Sequence, residues 1–236
     1  MQPKDRLIFP LDVPNKAEAE KFINLLRGEV GLFKVGLELF MAEGPPFLKF
    51  LAANRVAYFL DLKFHDIPAT MMGAQARVMK GARLATVHID QGRKMRPTIE
   101  ASKNDCKVLG VTVLTHLGPE DLEAMGIAPE YARDPTKLVL LRAKLAQEAG
   151  CDGVVCAGTE ARAVKDKFGH DFLVVCPAIR PVWAAVAGDD QRRVTTPAEA
   201  VKAGADYLVV GRPIRLAQDP REAARKTVAE IAGALP

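Results

Sequence analysis

The 236-residue chain predicts an α/β fold, a single-domain (β/α)8 TIM barrel over residues 1–236. Three observations lead there. Eight short apolar runs alternate with stretches of helical character along the whole chain. The runs are apolar throughout rather than alternately polar, as are strands of a parallel sheet that is covered on its outside. No Gly-rich dinucleotide fingerprint follows the first run, which disfavours an open doubly wound sheet. Eight such units in this length fit one barrel.

Arg6 to Val13 reads as the first strand, ending in an acid, and Pro14-Asn15 opens a helix through about Arg27. Leu32 to Gly36 is the second strand, with Lys34 where an apolar residue is expected. A helix around Pro46 to Ala53 leads to the third strand, Val56 to Leu60, which runs on into Asp61-Leu62-Lys63-Phe64-His65-Asp66-Ile67-Pro68-Ala69-Thr70. Met71 to Leu84 then reads as helix. Ala85 to Ile89 is the fourth strand, with a helix from about Arg96, and Lys107 to Leu114 is the fifth. A helical region and a second helix, Pro135 to Ala149, follow. Gly153 to Cys156, Phe172 to Cys176 and Asp206 to Val210 are the last three strands, with helices from Thr159 and from Pro220 to Ala234.

Composition narrows the function. With 49% hydrophobic and 26% charged residues the chain is an ordinary globular protein, and no apolar run is long enough to span a bilayer. The net charge of +4 suits an anionic small molecule, but it is too weak and dispersed for nucleic acid. The apolar N-terminal run is broken at Pro10 and Asp12, so no signal peptide is expected. Cys106, Cys151, Cys156 and Cys176 show no C-x-x-C spacing and read as small buried hydrophobes in a reducing compartment. A cytoplasmic location is expected.

Side chains of a strand alternate, so Asp61 and Lys63 are expected on one side at the end of the third strand, with Asp66 opening the next loop. Taken alone, D-x-K-x-x-D reads equally well as a structural ion pair. However, Asp12, Lys34, Asp61 and Lys63 all fall at the C-terminal ends of the first three strands, the rim where barrel active sites sit. Arg180 follows strand seven, and Gly211-Arg212-Pro213 follows strand eight. Loops there often hold phosphate, and the planar fork of arginine grips two phosphate oxygens at once. A small phosphorylated ligand is expected, with its reacting end over strands one to three.

These residues resemble the orotidine 5′-phosphate decarboxylase family over nearly the whole chain. The resemblance runs from Leu7-Ile8-Phe9-Pro10-Leu11-Asp12-Val13 through Lys34-Val35-Gly36-Leu37-Glu38-Leu39-Phe40, the D-L-K-F-H-D-I-P-x-T signature, Leu114-Thr115 and Asp190-Gln191-Arg192-Arg193 to Gly211-Arg212-Pro213-Ile214. It implies cofactor-free conversion of orotidine 5′-phosphate to uridine 5′-phosphate and CO2, in pyrimidine biosynthesis. It also implies a charged tetrad of Lys34, Asp61, Lys63 and Asp66, with Lys63 protonating C6 and no metal. Asp61 would face the departing carboxylate, and Asp12 and Lys34 the ribose. Thr115 would meet the pyrimidine amide edge. Gln191 would bridge base and phosphate, and Arg180, Gly211 and Arg212 would surround the phosphate. Ile67 also belongs to the implied substrate site. Asp66 and Thr70 would reach the neighbouring subunit's site in a homodimer.

The chain departs from the family pattern at Pro10, at Ala178 where glycine is usual, at Val87-His88-Ile89-Asp90-Gln91-Gly92 and at His116, none of them in the tetrad. The loop from Arg180 to Gln191 also looks slightly longer than is usual. A metal-dependent sugar-phosphate barrel would draw ligands from Asp61, His65, Asp66 and His88, yet strand two offers Lys34 instead of a ligand. His65 is expected in a loop and His88 as a satisfied strand histidine. A Schiff-base role for Lys63 conflicts with flanking carboxylates, which raise a lysine's pKa. A nucleotide sensor without catalysis would have no reason to keep two lysines among three acids.

Overall fold

The computed structural model describes residues 1–103, 106–184 and 193–235. Eight parallel strands close into a barrel in sequence order, the eighth pairing with the first. They are β1 (Leu7–Pro10), β2 (Leu32–Val35), β3 (Tyr58–Phe64), β4 (Leu84–His88), β5 (Lys107–Val111), β6 (Gly153–Val155), β7 (Leu173–Cys176) and β8 (Tyr207–Val209). The predicted fold class is therefore the observed one. Strands one and five are shorter than their apolar runs, because Leu11 to Val13 and Thr112 to Leu114 turn away over the rim as loop.

The helices outside are α1 (Lys16–Leu26), α2 (Leu37–Ala53), α3 (Pro68–Val78), α4 (Arg96–Ser102), α5 (Pro119–Ala124), α6 (Pro129–Ala132), α7 (Pro135–Glu148), α8 (Gly158–Phe168), α9 (Pro197–Lys202), α10 (Arg212–Arg215) and α11 (Pro220–Ala232). Four of these correct the sequence reading, α10 among them, since Gly211-Arg212-Pro213 is expected as loop and Arg212–Arg215 is helical. α2 begins nine residues earlier than expected and is kinked at Gly44 (φ 62°), because Pro45 and Pro46 interrupt its hydrogen bonding without ending it. α3 starts at Pro68, which suits a first helical turn because its missing N–H would be unpaired there anyway, and it stops at Val78. β4 then starts at Leu84. α9 is an additional helix, capped by Thr196, whose side chain accepts from the Glu199 N–H.

Alternation within the strands creates two cores. Ile8, Leu32, Phe59, Leu84, Leu109, Val175 and Val209 point inward and form a layer across the barrel interior. Their neighbours Leu7, Phe9, Phe33, Tyr58, Leu60, Ala85, Val108, Val174 and Leu208 point outward into the larger core under the helices. The period of two then dictates which residues come next along the barrel axis. Two positions beyond Ile8, Leu32, Phe59 and Leu84 stand Pro10, Lys34, Asp61 and Thr86. The buried layer thus aims those four side chains at the C-terminal mouth.

Beyond β7 the chain passes Ala178, whose φ of 59° lies in the left-handed region and is strained for any residue with a Cβ. Ile179 bridges to Thr195, and the Arg180 N–H donates to the Thr195 carbonyl, which closes the base of this loop. Ala178→Gly is expected to relieve about 1 kcal/mol of that strain. Its thermal midpoint should rise by roughly 2 °C in a chain of this size. Differential scanning calorimetry of the two proteins checks it.

Candidate functional site

A cavity of about 300 Å3 opens at the C-terminal mouth of the barrel. Asp12, Lys34, Asp61 and Lys63 line one side, and Thr115 and His116 line it from the loop after β5. Arg180, Gly211 and Arg212 line it beyond β7 and β8. The sequence-predicted residues from six different strand ends therefore meet in one place. Gln191 lies outside the described residues.

The charged groups form an alternating chain. Lys34 Nζ donates to Asp12 Oδ1 at 3.1 Å and lies 3.6 Å from Asp61 Oδ2. Lys63 Nζ donates to the other Asp61 oxygen, Oδ1, at 2.9 Å. Asp61 is thus held between two ammonium groups, one on each oxygen. Burial alone would push its carboxyl up, but Lys34 and Lys63 overcome that and hold it below the ordinary carboxylate range. Burial opposes the charge of Lys34, which is 9% exposed, yet Asp61 and Asp12 outweigh it and raise its pKa. Both stay ionised because each is the other's compensation.

β3 does not reach this arrangement as a regular strand. Its register against β4 slips between Leu60, opposite Ala85, and Phe64, opposite Val87. Lys63 sits in the slipped segment at φ 49°. Its N–H donates to the hydroxyl of Thr86 at 2.9 Å instead of to a strand carbonyl, and that hydroxyl donates to Asp61 Oδ1 at 3.0 Å. Thr86 is fully buried. The sequence reading passed over it; its signal was a hydroxyl two positions beyond an inward-facing leucine. Glycines make further room. A Cβ on Gly36 would come within 3.0 Å of Lys34 Nζ, and one on Gly211 within 2.9 Å of Pro10 Cγ. Pro10, unusual in a first strand, sits at the strand end, and the next N–H, of Leu11, donates to the Lys34 carbonyl.

Asp66, Ile67 and Thr70 stand apart from this group in the single chain. All three are exposed, and Asp66 Oδ1 accepts from the Ile67 N–H. Asp66 and Thr70 instead line a second hollow beside Lys63, with Leu37, Phe40, Met41 and Phe64. The two histidines turn to another acid: His65 Nε2 and His88 Nδ1 lie 3.7 and 3.8 Å from Asp90, with their rings 5.1 Å apart. Burial lowers the pKa of His88. Among the described residues, no three His, Cys, Asp or Glu side chains converge as a metal site. Arg193, beside the predicted Gln191, ties the rim together: it pairs with buried Glu160 at 2.8 Å and donates to the carbonyls of Val113 and Leu114.

The shifts set a pH window. Asp61 has a depressed folded pKa, so its contribution to stability is present above the unfolded value of about 3.9 and is lost as pH falls through the folded one. Lys34 has a raised folded pKa, so its contribution is complete below about 10.4 and is lost as pH rises through the folded one. Asp61→Asn should cost about 3–5 kcal/mol at neutral pH, because it leaves Lys34 buried and undercompensated, and should flatten the acid limb. Denaturant titrations across pH check both.

The family described as orotidine 5′-phosphate decarboxylase / HUMPS matches residues 5–227. The chain is 44% identical to an orotidine 5′-phosphate decarboxylase of Desulfosudis oleivorans, over 99% of this chain and 95% of that one. It is 46% identical to that of Anaeromyxobacter dehalogenans, over 98% of this chain and all of the other. Its fold resembles the crystal structure of the enzyme named the same from Lactobacillus acidophilus, with a TM-score of 0.79 and 33% identity over 95% of this chain and 98% of that chain. This chain belongs to the orotidine 5′-phosphate decarboxylase / HUMPS family.

Proposed function

We propose that this single-domain barrel is an orotidine 5′-phosphate decarboxylase, which releases CO2 from orotidine 5′-phosphate to give uridine 5′-phosphate in pyrimidine biosynthesis. The observation that carries the reading is the alternation Asp12–Lys34–Asp61–Lys63, most buried at Lys34 and Asp61, on one wall of the cavity, across from Thr115 and flanked by Arg180 and Arg212. When the bond from C6 to the carboxylate breaks, its electron pair stays on C6, where the pyrimidine ring delocalises it poorly. The ammonium of Lys63 meets that charge and gives C6 its proton. Because Asp61 already holds Lys63 in place, little reorganisation is needed as charge develops. Asp61 faces the substrate carboxylate, and loss of CO2 relieves the like-charge contact.

The remaining residues bind and orient. Asp12 and Lys34 hold the ribose, Thr115 the pyrimidine amide edge, Gln191 the span between base and phosphate, and Arg180, Gly211 and Arg212 the phosphate. Phosphate binding remote from C6 contributes energy for orienting the reacting end. The chemistry takes no cofactor: two ammonium groups sit where a cation would otherwise balance these carboxylates.

We place Asp66 and Thr70 in the site of a second copy of the chain, and Ile67 in the substrate site. In support, Leu37 and Met41, which line the same hollow as Asp66 and Thr70, are 55 and 79% exposed, and Ile67 and Met72, next in the chain to its lining residues Asp66 and Met71, are 67 and 42% exposed, an apolar face of the kind that pairs with itself in a homodimer. A cytoplasmic location fits four free, buried thiols, of which burial pushes Cys106 and Cys151 up to about 12.

Ultraviolet absorbance of orotidine 5′-phosphate tests the reaction. Loss of the orotate chromophore should be unaffected by a chelator and abolished in Lys63→Ala. Activity that the chelator removes would point to a metal-dependent sugar-phosphate enzyme. Shared sites make a second prediction: mixing inactive Lys63→Ala and Asp66→Ala proteins should restore roughly a quarter of wild-type activity, since half the dimers are mixed and each carries one intact site. No recovery after subunit exchange would place Asp66 outside the partner's site.

A further inference from the structure

We propose that Thr86 is a positioning residue for decarboxylation, its hydroxyl setting both the backbone of Lys63 and the orientation of the Asp61 carboxylate. The proposal rests on the function proposed above. β3 carries two more residues than β4 between the paired positions Leu60–Ala85 and Phe64–Val87, so the backbone ladder cannot satisfy the slipped segment. The Lys63 N–H falls in that gap and finds the Thr86 oxygen at 2.9 Å. A hydroxyl that accepts there still has one proton to give, and the ionised Asp61 carboxylate, which can only accept, lies 3.0 Å away. One hydroxyl therefore uses both of its functions on the two residues that face the reacting carbon.

The geometry has a consequence for the Asp61 carboxylate. Asp61 Oδ1 receives Lys63 Nζ and Thr86 Oγ1 together, while Oδ2 faces Lys34. With three donors or cations on two oxygens, the carboxylate plane is fixed, and with it the place of the Lys63 ammonium. Removal of the hydroxyl frees the carboxylate to rotate toward Lys34 and leaves the Lys63 N–H, at φ 49°, without its acceptor. Thr86 does not open onto the cavity: it is 0% exposed and outside the cavity lining. Its effect is carried entirely through Lys63 and Asp61.

Thr86→Val keeps the shape and removes the hydroxyl; Thr86→Ser keeps the hydroxyl. The valine variant should lose about 10- to 100-fold in kcat with KM little changed, as for a hydrogen bond to a charged group. Its acid limb of kcat should move to higher pH, because Asp61 loses a donor that favours its ionised form. The serine variant should recover most of kcat and the wild-type acid limb. If the valine protein does not fold, Thr86→Cys serves, since a thiol donates far more weakly; it should lower kcat and move the limb the same way. A valine or cysteine variant with wild-type kcat and pH profile overturns the proposal, as does a serine variant no better than valine. If wild type itself fails to decarboxylate orotidine 5′-phosphate, the proposed function fails first, and the two failures are distinguished by that control.

Discussion

Everything at the mouth of this barrel depends on one constraint: two lysines and two aspartates share a partly buried wall and must alternate in sign to stay there. An isolated buried ammonium or carboxylate costs several kcal/mol in lost hydration. Lys34 recovers that cost from Asp12 and Asp61, and Asp61 from Lys34 and Lys63, so each charge is held by the next. The same alternation that makes the wall stable makes it useful. A cation already oriented, and kept charged by its neighbours, meets developing negative charge without first having to gather solvent or move. In the proposed function, stability and chemistry are carried by one set of contacts.

The barrel supplies the placement. Seven buried inward-facing side chains, with the half-buried Val155 of β6 packed against them, fill the interior, and the period of two carries Lys34, Asp61 and Thr86 one layer above them. Closure of the barrel brings β8 against β1, so Gly211 and Arg212 come round beside Pro10 and Asp12 although they are remote in sequence. At Gly211 the site and the scaffold share one requirement, because only a residue without a Cβ clears Pro10. β3 departs from regularity where the proposed chemistry lies. Its slipped register presents Asp61 and Lys63 together, and it does so at the cost of a left-handed lysine and a broken ladder that Thr86 mends.

Much of this was legible in the sequence, for a physical reason. Strands buried on both faces must be apolar throughout, so eight such runs announce eight strands, and a charge at the end of one is conspicuous: Asp12, Lys34, Asp61 and Lys63 were found that way. Other features leave weaker marks. The first half of α2 is hidden because Gly44-Pro45-Pro46 looks like a helix end, while the chain tolerates it as a kink. α9 is only six residues long, so its buried Pro197, Ala200 and Val201 are too few to mark a helical period. The end of α3 is hidden in the sequence because Met79 to Leu84 continues the apolar content after the helix has ended. Strand alternation put Asp61 and Lys63 on one side, but it cannot show a register slip, which depends on pairing between strands. Thr86 was overlooked for the same cause: a threonine in a strand ordinarily reflects β propensity, and only the contact with Lys63 and Asp61 gives it a role.

The central claim is that the Lys63 ammonium, held by Asp61, delivers the proton that replaces CO2. NMR of the uridine 5′-phosphate formed from orotidine 5′-phosphate in D2O, by wild type and by Lys63→Met, tests it most directly. One deuterium is expected at C6 in the wild-type product, with no product from the variant on the same timescale. Deuterated product from Lys63→Met at the wild-type rate would contradict it, since another group would then be the donor.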